Sequence, residues 1–102
     1  MPNNSHIKEE ENALIDGYDY QRPSRSFALR TLISALGRIP ANNAWKQACR
    51  KANVSEHSDE FDDLEMIFNN LSHQSGVVGV IGKSLMVRAS VFKTLFKHTN
   101  QV

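Results

Sequence analysis

The nine residues Gly76 to Ser84 close on Gly-Lys-Ser, the ending of a loop whose backbone amides cradle nucleotide phosphates. The spacing fails, because that loop needs a glycine five positions before the Gly-Lys pair and this chain has Val77 there, with Gly76 and Gly79 out of step. Metal chemistry fares no better. His6, His57, His73 and His98 are scattered without ligand spacing beside a single cysteine, Cys49, so no metal and no other cofactor is expected. Cys49 shares a helical stripe with Trp45 and Ala52, which makes it a packed thiol and not a nucleophile. The carboxylates from Asp59 to Glu65 are the types needed for acid and base work, but a run on an exposed helix start lacks the apolar pocket that would set one apart from another. His57, lying among acids, reads either as a pH switch or as a neutral linker residue. The chain is therefore expected to be no enzyme and to take no small-molecule substrate.

Charge patterning is the feature that remains. From Pro23 to Ser55 there are six basic residues and no acid, and from Glu56 to Glu65 six acids and no base, so a net charge of +1 conceals a dipolar molecule. Within the basic block, Arg38, Asn42, Asn43, Lys46, Gln47, Arg50 and Lys51 combine cations with amides, the side chains that reach phosphates and base edges in DNA grooves. An ordinary solvated face also carries such residues; what sets this one apart is the missing acid. Lys83 and Arg88 extend the candidate nucleic-acid set from farther along the chain. Glu56, Asp59, Glu60, Asp62 and Asp63 form a candidate protein-docking set, although carboxylates at a helix start are also stabilised by about 0.3–1 kcal/mol each by the helix dipole.

The elements that must position these groups can be read from period and punctuation. A length of 102 residues with 40% apolar composition fits one domain. The polar opening and lone cysteine point to a cytoplasmic protein. The longest apolar stretch, Gly76 to Gly82, is seven residues, so no membrane span is expected. Residues 1–22 read as a flexible acidic N-terminal segment with one short helix, 23–98 as a single compact domain and 99–102 as a frayed tail. Leu29, Leu32, Ile33 and Leu36 predict a first helix from Ser24 to Leu36, ended by Gly37. Pro40 restarts the chain into a second helix along Trp45, Ala48, Cys49 and Ala52, reaching about Asn53. A third helix follows Ser58 on Phe61, Leu64, Ile67, Phe68 and Leu71.

Beyond Ser75 the period resembles that of strands. Val77 to Ile81 and Ser84 to Arg88, flanking Gly82-Lys83, predict a β-hairpin with Val80 opposite Leu85 and Val78 opposite Val87, followed by a last helix capped by Ser90. The expected class is α+β, mostly helical: a three-helix core with a C-terminal β-hairpin and a final helix, winged-helix-like. In that frame the acidic third helix would oppose phosphates, leaving the contact to the second helix and to Lys83 and Arg88 on the wing. Two functions follow as expectations. One is a small DNA-associated regulatory or accessory protein with duplex DNA as partner. The other is a protein interaction module, an adaptor, inhibitor or self-associating subunit that docks through its acidic helix. Met86, Phe92 and Phe96 either extend the core or form the seam of a homodimer.

Overall fold

The computed structural model describes the backbone of residues 14–15 and 20–100 and the side chains of residues 22–97. Most of the acidic N-terminal segment and the last two residues lie outside the described residues. Where the sequence predicts a short helix in that segment, Leu14–Ile15 (β1) pairs antiparallel with Tyr20–Gln21 (β2), and β1 lies against the last helix. Four helices follow: α1 (Arg25–Leu36), α2 (Arg38–Ala52), α3 (Phe61–Ser72) and α4 (Gly76–Asn100).

The first three begin and end for local reasons. Ser24 caps α1 by accepting from the Phe27 amide at 3.1 Å. Gly37, at φ +91°, ends α1 and by itself separates it from α2. Thus α2 starts two residues before Pro40, which is tolerated in the first turn because an amide there has no intrahelical partner. Asn53 closes α2 in the left-handed conformation, φ +59°. At α3 the N-cap is Glu60, without a side-chain cap bond, and Ser58 acts two residues ahead of it: its hydroxyl accepts from the Glu60 amide and donates to the Asp63 carboxylate at 2.6 Å.

The fold departs from the expected class after Ser75. Residues 76–100 form one helix, so the chain is not α+β and has neither the C-terminal β-hairpin nor the wing of a winged-helix domain. Two opposing terms decide it. Six Val and Ile residues between Val77 and Val91 weaken a helix by up to about 0.7 kcal/mol each relative to alanine. Against this, α4 buries Ile81, Leu85 and Phe92 in the core, and each buried side chain of that size returns about 1.5–3 kcal/mol. A two-stranded hairpin would have had only one marginal face to offer.

Glycine decides how closely α4 can lie. A Cβ at Gly82 would stand 2.3 Å from the Ser72 amide nitrogen, and one at Gly79 would stand 2.2 Å from the Gln74 carbonyl oxygen. The chain thus turns through His73–Ser75 and packs α4 back along α3, with Phe92 meeting Phe61 at 5.6 Å and Lys93 paired to Glu65 at 3.2 Å. The remaining core joins Ala28 and Leu32 of α1, Trp45 and Ala48 of α2, and Leu64, Ile67, Phe68 and Leu71 of α3.

Replacing Gly82 by alanine forces backbone apart and is expected to lower stability by about 1–3 kcal/mol. Replacing the exposed, mid-helical Ser84 by alanine should raise stability by a few tenths of a kcal/mol. Urea unfolding of both variants checks this; a strand at Ser84 would show no such gain.

Candidate nucleic-acid interface

Helix α2 divides cleanly. Ala41, Ala44, Trp45, Ala48, Cys49 and Ala52 are buried, while Asn42, Asn43, Lys46, Gln47, Arg50 and Lys51 are exposed on the opposite side. Arg38 and Ile39 continue this wet surface at the first turn. The division follows from five small or apolar residues around one tryptophan, which let α2 sit against both α1 and α3.

The acidic stretch reaches the basic block by a route that leaves most charges unspent. The Glu56 carbonyl accepts from Arg25 Nε at 2.8 Å and from Trp45 Nε1 at 3.1 Å. The Asp59 carbonyl accepts from Arg22 Nη2 at 2.6 Å, and the Asp59 carboxylate accepts from the Arg25 amide at 2.8 Å. Among the described residues the one ion pair is Lys93–Glu65, so no described carboxylate pairs with Arg38, Lys46, Arg50 or Lys51.

Of the candidate nucleic-acid residues, seven therefore share one helix. The other two do not join them: Lys83 is exposed on α4, and the Arg88 guanidinium lies 4.7 Å from the centre of the Phe27 ring on α1. Without a wing, nothing carries this pair to α2. Among the candidate protein-docking residues, Asp59, Glu60 and Asp62 are exposed, whereas Asp63 is half-buried against Ser58 and Glu56 is half-buried.

The fold adds groups that periodicity did not point to. The turn between α3 and α4 comes alongside α2, where Gln74 Nε2 donates to the Ala44 carbonyl at 3.2 Å. His73 and Ser75 thereby line a shallow polar groove with Asn43, Gln47 and Lys51. On the other side His57 and Ser55 line a second groove with Lys46 and Arg50. No helical pattern within α2 could have announced either, since the contributors lie in linkers. Among the described residues no group of histidine, cysteine and carboxylate side chains could hold a metal ion, and no helix is long and apolar enough to cross a membrane.

No family profile, no curated protein and no solved structure matches this chain.

Cys49 forms the floor of the second groove and is buried. Burial raises its thiol pKa from 9.0 to about 11, the nearby Glu56 charge adding to the rise and Arg25 opposing it. The folded state therefore favours the neutral thiol, and its contribution to stability is complete below pH 9.0 and lost as pH climbs towards 11. Urea unfolding between these limits should show the wild-type chain losing stability relative to Cys49→Ala.

Proposed function

We propose that this chain is a non-enzymatic DNA-associated accessory or regulatory protein that meets duplex DNA with the exposed face of α2. One observation carries the reading: Asn42, Asn43, Lys46, Gln47, Arg50 and Lys51 are all exposed on one 15-residue helix that contains no acid. An α-helix of this kind fits the DNA major groove, about 12 Å wide, with lysine and arginine on phosphates and amides within reach of base edges. His73 and Ser75 flank that face from the neighbouring turn.

The acidic stretch around the start of α3 supports docking to a protein less well. Two of its carboxylates, Asp59 in the linker and Asp63 in the first turn, already accept hydrogen bonds inside the chain.

Binding to a random duplex, followed by fluorescence anisotropy, tests the proposal. Detectable affinity at low salt is expected, with log K falling against log salt by about 0.9 for each phosphate neutralised. The double variant Lys46→Ala/Arg50→Ala should flatten that slope by about 2. Absence of binding at low salt, or an unchanged slope in the double variant, overturns the reading.

A further inference from the structure

Helix α2 carries a line of side chains directed straight away from the core. Its buried stripe of Ala41, Trp45, Ala48 and Ala52 advances by four, three and four residues, and Ile39, Asn43, Lys46 and Arg50 repeat those steps two residues earlier. Two residues turn a helix through about 200°, so this second line forms the crest opposite the core. All four of its side chains are exposed.

The crest is graded along its length. Its first half is an isoleucine and an amide, and its second half is two cations. Ile39 is 74% exposed and is the one large hydrophobic side chain exposed on α2. Single exposed apolar residues are common on surfaces; this one is set apart by heading a crest that is otherwise polar. Contact with phosphates alone would give it nothing to do.

From Ile39 to Arg50 the crest covers about 16 Å of helix, more than the width of the major groove, about 12 Å. A helix entering by its amino-terminal half sets Ile39 and Asn43 against base edges, while Lys46 and Arg50 emerge at the phosphates. The first two side chains suit one type of base pair. An asparagine amide matches the N6 donor and N7 acceptor of adenine, and an aliphatic side chain meets the C5-methyl group of thymine. Ile39 and Asn43 stand one turn apart, about 6 Å, and base pairs rise about 3.4 Å, so both contacts fall within two base steps.

Resting on the reading of α2 as the DNA-facing helix, we infer that Ile39 and Asn43 are its specificity-determining residues. They select A·T pairs through the major groove, Ile39 on a thymine methyl group and Asn43 on an adenine within two base steps.

Fluorescence anisotropy of the full chain with three duplexes of equal length, alternating dA·dT, alternating dA·dU and alternating dG·dC, tests this. Uracil lacks the thymine methyl group and leaves the hydrogen-bonding edges and the minor groove unchanged. The dA·dT duplex is expected to bind tightest, with affinity falling about fourfold on dA·dU for each methyl group that leaves an apolar contact. Ile39→Ala should bind dA·dT and dA·dU alike. Asn43→Ala should lose about fivefold or more on dA·dT with its salt slope unchanged, because the amide carries no charge. Both positions are exposed and outside the core, so the variants fold. Equal binding of dA·dT and dG·dC overturns the inference, as does a preference for dA·dT that survives uracil, which would belong to the minor groove. Discrimination that persists in Ile39→Ala, or undiminished dA·dT binding by Asn43→Ala, also overturns it. Absence of binding to all three duplexes at low salt instead overturns the DNA reading of α2 itself.

Discussion

Two absent side chains govern this fold. At Gly79 and Gly82 the backbone of α4 approaches the end of α3 and the turn after it more closely than any Cβ permits. That contact sets the rotation of α4 about its own axis. Ile81, Leu85, Ala89 and Phe92 are then directed into the core, and Val80, Val87 and Val91 are left outside. Close packing makes the choice discrete, since a helix rotated by one residue would drive a valine or a lysine into the backbone of α3.

A second constraint keeps the charge blocks distinct. The acidic linker is anchored to α1 and α2 chiefly through peptide carbonyls, with Glu56 receiving both Arg25 and the buried Trp45 indole. Carbonyls satisfy these donors without using up carboxylates, so the linker is held in place while α2 keeps its cations. An indole N–H left unpaired at 2% exposure would cost about 1–3 kcal/mol, which ties the position of the acidic linker to the integrity of the core. Positive and negative fields thus originate on different elements of a chain whose net charge is +1.

Much of the helical part was legible in the sequence because its signals are local. Ser24, Gly37 and Asn53 act on their own neighbours, and the stripes of α2 and α3 place Trp45, Leu64, Ile67, Phe68 and Leu71 inside without reference to anything distant. The candidate α2 face was legible for the same reason, as the complement of its apolar stripe. The stretch after Ser75 was not. Val77 to Ile81 is a short β-branched run with glycines on either side, which suits a strand, and its helical spacing appears only when Val78, Ile81, Leu85, Ala89 and Phe92 are read together across the supposed turn.

What the sequence determined by itself is therefore the set of elements whose causes lie within one or two turns: three helices, the Ser24 cap and Gly37 end of the first, and the segregation of charge into blocks. Tertiary structure alone decided that α4 is a helix, that Gly82 is a contact and not a turn, that Arg88 stacks on Phe27, and that His73 and His57 flank α2. The reason is physical. A β-branched, glycine-containing segment has little intrinsic preference to spend, so its conformation follows whichever partner surface buries it, and here that surface is α3.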